Sequence, residues 1–161
     1  MVSASPAKHR DANAWYHVVV QQTATNYIAW INGQQVMAGT RAFNGSTSGN
    51  FHIKNNFNGW LTESSSYLAE YHFLEAQALS PTDFGRYNED GIWVPIAVNY
   101  STAQYGSKGF HLTFDSTQSN GVGHDSSGQG NHFTASGIYV TPKRDPGWET
   151  YAADWSTSYA N

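Results

Sequence analysis

The sequence predicts an all-β protein, an antiparallel β-sandwich or jelly roll made of short strands. Three observations carry this expectation. β-branched and aromatic runs recur between turn residues at intervals of about ten. Aromatic residues reach 15% of the 161 residues while charged residues are only 12%, so much of the chain is suited to pleated, packed surfaces. Helical signals are confined to two short stretches, around 80–87 and after residue 141.

Residues 1–13 are small and polar and read as an N-terminal arm without a signal-peptide pattern. Strands are expected over 16–21 and 27–31, with Thr23 to Asn26 as the turn between them. Asn32-Gly33 then signals a tight hairpin into residues 34–37, because both central residues of a type I′ turn need positive φ. A polar loop over 38–50 and a brief strand over 51–54 follow. The segment from Tyr67 to Leu74 is the longest strand candidate, with apolar groups at both odd and even positions, as in a strand covered on both faces.

Ser80-Pro81-Thr82-Asp83 reads as the start of a short helix near 80–87. Ser80 caps, Pro81 suits the first helical position and Asp83 completes a capping box. A turn over 88–91 leads to Trp93–Val98, which Pro95 confines to an edge or non-ladder role. Phe110 to Phe114 alternates as a strand, a loop spans 115–130, and two further strands are expected over 131–135 and 138–140. In the last segment Trp148, Tyr151, Trp155 and Tyr159 recur at helical period. They form either a helix packed on its own domain or an arm docking onto a partner. The expected organisation is therefore an arm over 1–13, a sandwich domain over 14–140, and a C-terminal aromatic arm or short helix over 141–161.

Composition excludes several function classes. The chain carries 8 Lys+Arg against 12 Asp+Glu, a net charge of −4. No basic patch favours nucleic acid, and no apolar run approaches the length of a membrane-spanning helix. Cys is absent, so there are neither disulfides nor thiolate metal sites.

The segment Trp15–Val20 with Tyr27–Val36 resembles the "WHHVAV … LYVNGV" strand pair of laminin-G-like, concanavalin A-like jelly rolls. Leu68–Phe73 with Ala78–Phe84 is similar to the closing strand and short helix of that superfamily. Phe110–Asp115, Asp125–Asn131 and Phe133–Gly137 are similar to its "LHFDG…DSSGNGN…TA" pattern. In series, "YLAEYHFLEAQALSPTDFG", "GIWVP", "GFHLTFD" and "DSSGQGNHFTASGI" resemble structural proteins of marine and other bacteriophages. The resemblance implies a virion location and a structural role as capsid decoration, tail fibre or tail-associated protein. One departure matters: the family's first strands should precede Trp15, where only the polar arm stands. A permuted sandwich or one completed by another chain is the physical solution, since open sheet edges must be covered. A homo-oligomer, or attachment to other capsid or tail proteins, is therefore expected.

A glycosidase needs two carboxylates across the sugar bond, and no acid-x-acid pair exists to put them on one strand face. Glu70 matches a glutamate of the family's closing strand and reads as structural, so no catalytic residue is expected. The seven His show no zincin spacing; those at 17, 52, 72, 111 and 132 fall in strand candidates and read as packed imidazoles. Asp115, Asp125 and Asn131 offer hard oxygen ligands for calcium, against the alternative that such residues form Asx turns. Asn56, Asn58 and Trp60 have the composition of a glycan platform, an aromatic face rimmed by amides. Weak recognition of host-surface glycans follows as an expectation. A free-standing lectin-like domain is the alternative, and a polysaccharide hydrolase the third reading.

Overall fold

Turn chemistry decides the first sheet. In the computed structural model, which describes residues 3–4, 14–40 and 68–135, Asn32 and Gly33 adopt φ of 49° and 76°. Both central residues are thus left-handed, as a type I′ hairpin requires. The turn joins β3 (Asn26–Ile31) to β4 (Gln34–Thr40), and β2 (Val18–Gln22) pairs antiparallel with β3 on its other side. Thr23 closes the β2–β3 turn, where its hydroxyl accepts the Asn26 N–H at 3.0 Å. Strand β1 (Ser3–Ala4) adds to β4, giving the sheet order β1-β4-β3-β2. The segment 38–40 is therefore strand, not loop: β3 runs back to Asn26, and its ladder needs Thr40 as partner.

The second sheet pairs β5 (Tyr71–Phe73) with β8 (Phe110–Leu112), and the third pairs β6 (Gly85–Tyr87) with β7 (Trp93–Pro95). Both strands of the second sheet are shorter than expected, for a backbone reason. Glu70 at φ 47° and Phe114 at φ 58° leave the extended region and end the ladder. Pro95 lies at the end of a two-stranded ribbon, where its missing N–H costs least.

The helix expected near 80–87 is a single 3-10 turn, Pro81–Asp83, followed by strand β6. Its start is as the sequence predicts: Asp83 accepts the Ser80 N–H at 2.7 Å. Beyond it Gly85 enters β6 because it must lie flat on Trp93, whose ring an added Cβ would penetrate. The α-helix lies elsewhere, in α1 (Thr102–Tyr105), where Ser101 and Gln104 form a capping box and Gly106 at φ 75° ends the turn. Residues 131–135 form no strand; the segment 138–140 lies outside the described residues, as does 51–54.

Packing ties these pieces together. Trp93 donates from Nε1 to His17 Nδ1 at 2.9 Å and stacks on that ring, with centroids 5.9 Å apart, fastening the third ribbon to the first sheet. Val94, Trp93, Tyr105, Phe110 and Leu112 are buried, and Val19 is the buried member of β2. Phe110 gathers Tyr71, Phe73 and Phe133 around it at centroid distances of 5.7, 5.3 and 4.7 Å. Among the described residues the protein is all-β with one short α-helix, in small antiparallel sheets.

Candidate functional site

The β5–β8 register creates a polar cluster. His72 and His111 are direct cross-strand partners, so their side chains project from one face of the ribbon. The rings stack with centroids 4.0 Å apart and planes 17° from parallel. Glu70 precedes His72 by two residues and reaches the same pair. Its Oε2 accepts from His111 Nε2 at 2.6 Å and lies 3.9 Å from His72 Nε2. The ligand-type atoms of Glu70, His72 and His111 all lie within 4.8 Å of one another. The three side chains are half-buried and still in touch with solvent.

Tyr105, at the end of α1, completes the arrangement from behind. Its hydroxyl lies 2.8 Å from His72 Nδ1, and its ring runs nearly parallel to both imidazoles, at 13° and 7°. Burial pushes the His72 pKa down to about 3, helped by the neighbouring His111 and His17, so this ring is neutral at physiological pH. Burial also raises the Tyr105 hydroxyl well above the ordinary phenol range, with the Asp125 and Glu70 carboxylates adding to the shift. Tyr105 therefore remains a protonated hydroxyl that can donate or accept.

Asp125 is the second polar centre. It is only 3% exposed, and its carboxylate accepts the N–H groups of His111 and Ser127, each at 2.9 Å, and of Asn131 at 2.8 Å. Burial alone would raise this carboxyl, but the His111 N–H, the Ser127 side chain and N–H, and the Asn131 N–H together outweigh it and hold the pKa below its ordinary value. The Asn131 amide donates to the Ser107 and Gly109 carbonyls, while Thr102 Oγ1 donates to the Ser127 carbonyl. The loop is thereby latched to α1.

Of the residues read as calcium ligands, Asp125 and Asn131 meet in this loop. Asp115 lies in its own Asx turn, accepting from Thr117 N and Oγ1 at 2.8 and 2.7 Å. In both loops the carboxylates hold N–H groups, the work of an Asx turn. Asn56, Asn58 and Trp60, and the stripe Trp148, Tyr151, Trp155 and Tyr159, lie outside the described residues.

The Glu70–His72–His111 cluster does not emerge from helix-type His spacing or from acid-x-acid pairs. One half was legible, because Glu70-x-His72 puts an acid and an imidazole on one strand face. The other half depends on which strand pairs with β5. Chemically, two imidazoles beside a carboxylate can ligate a cation or exchange a proton. Comparison with protein-family models, curated proteins and solved structures finds no match to this chain.

Proposed function

We propose that this chain is a non-catalytic structural or binding module of a bacteriophage virion. In this reading it is a jelly-roll sandwich on the capsid or tail, completed by a second copy or a neighbouring virion protein, with weak affinity for host-surface glycans. The virion assignment rests on the sequence resemblance. The observation that carries the assembly part is an apolar face on the first sheet. Val20, Ala29 and Met37 are register partners across three strands and so share a face, and Val18 joins them two residues along β2. Val18, Val20 and Met37 are 57%, 63% and 40% exposed. Strand β2 is moreover the last strand of its sheet among the described residues. Apolar side chains next to an open strand edge suit a subunit contact, because both the edge and the face gain by being covered.

Light scattering on the full chain tests this directly. An oligomer is expected, dissociating on Val20→Lys, together with incorporation of the chain into assembled particles. A monomer that binds glycans on an array would establish the lectin-like alternative. Reducing-end release from a polysaccharide, lost in Glu70→Gln, would overturn the non-catalytic reading.

A further inference from the structure

We propose that Glu70, His72 and His111 form a binding site for a divalent metal ion of the zinc class, with Tyr105 as the residue that positions His72. The inference is independent of the virion reading. Two imidazoles and one carboxylate are a ligand set suited to zinc and its neighbours, whereas calcium and magnesium favour sites made wholly of oxygen.

Four observations converge on it. The donor atoms of the three residues lie within 4.8 Å of one another, on a paired two-strand ribbon. A tetrahedral site with bonds of about 2.0–2.2 Å needs donor atoms about 3.3–3.6 Å apart, so changes in separation of at most about 1.5 Å suffice. Tyr105 Oη stands at His72 Nδ1. It can accept a hydrogen bond from Nδ1–H and so leave the Nε2 lone pair for the metal, an outer-shell arrangement of the kind that orients a ligating histidine. Glu70 is held at φ 47°, an uncommon backbone conformation for a residue with a side chain, and such conformations concentrate at functional sites. The side chains of Glu70, His72 and His111 are 14%, 12% and 18% exposed, enough contact with solvent for an ion to enter.

Binding has a defined local consequence. The 2.6 Å hydrogen bond from His111 Nε2 to Glu70 is replaced by coordination, and the His111 ring takes its other neutral tautomer, its proton moving from Nε2 to Nδ1. The stacked rings turn about χ2, so that their in-plane lone pairs converge on the ion. Three protein ligands leave a fourth position for water or a partner's side chain. Besides its ligands, the ion ties β5 to β8.

The test uses the full untagged chain, stripped with chelator, and Zn2+ or Co2+ alone as the probe. Titration calorimetry is expected to give one Zn2+ per chain, and Co2+ to give the intense visible absorption of a tetrahedral nitrogen–oxygen site. Glu70→Gln, His72→Gln and His111→Gln should each weaken Zn2+ binding about 100-fold, and Tyr105→Phe about 10-fold. His124→Ala, on the separate loop histidine, should leave it unchanged. Circular dichroism confirms that each variant is folded, and Tyr105→Phe, which removes only a hydroxyl, keeps the test decisive if a ligand variant fails to fold. No saturable Zn2+ binding, equal loss in His124→Ala, unchanged affinity in Tyr105→Phe, or binding of Ca2+ in preference to Zn2+ would each overturn the proposal.

Discussion

Asp125→Ala should be among the most damaging single substitutions in this protein, although it deletes only one small side chain. The carboxylate is 3% exposed and accepts three backbone N–H groups, from His111, Ser127 and Asn131. Alanine leaves all three without that acceptor. The Ser127 amide bond is buried and should cost about 2 kcal/mol; the other two are part-buried, regain water in part, and should cost about 1 kcal/mol each. The sum, about 4 kcal/mol, is a large share of the 5–15 kcal/mol that typically separates a folded domain from its unfolded chain. For a chain of this size it corresponds to a fall in Tm of about 8–16 °C. Asp125→Asn keeps one acceptor oxygen but turns an NH2 group toward an N–H donor, so about half the loss is expected. Urea unfolding followed by tryptophan fluorescence, with EDTA present so that no metal contributes, measures both variants. A loss below about 1 kcal/mol for Asp125→Ala would refute the claim that this carboxylate organises the loop.

Two further outcomes are open to measurement. Gly33→Ala combines a strained φ of 76° with a Cβ placed inside the Trp93 ring, so destabilisation by about 2 kcal/mol or more is expected; an unchanged urea midpoint would contradict that packing. His17 accepts from Trp93 Nε1, and burial lowers its pKa below the ordinary 6.5. A depressed folded pKa means that the contribution is complete above the unfolded value and is lost as pH falls from there through the folded value. Wild type should therefore lose more thermal stability than His17→Gln between about pH 7 and pH 5, and coincident pH profiles would count against the Trp93 bond.

What was legible from sequence is local. Asn32-Gly33 forms the expected turn because both residues tolerate positive φ, whatever lies around them. Ser80, Pro81 and Asp83 make the expected capped turn, since all its hydrogen bonds span a few residues. Asn88–Gly91 turns as read, with Asn88 Oδ1 accepting the Ile92 N–H at 2.8 Å. Ser101-x-x-Gln104 carries the capping box of α1 just as openly, and that signal was there to be read.

Tertiary structure decided the rest, and the same physical reason applies each time. The length of β5 follows from where Glu70 and Phe114 leave the extended region, which no alternation of apolar residues announces. The fate of the 80–87 segment is set by Trp93 lying against Gly85. Residue patterns alone carry the strand-rich character of the described residues, the low charge, the wealth of aromatics and the turns. Only strand pairing across nearly forty residues could bring His111 opposite His72 and beneath Glu70, because side-chain propensity acts over one turn while a site is assembled by long-range contact.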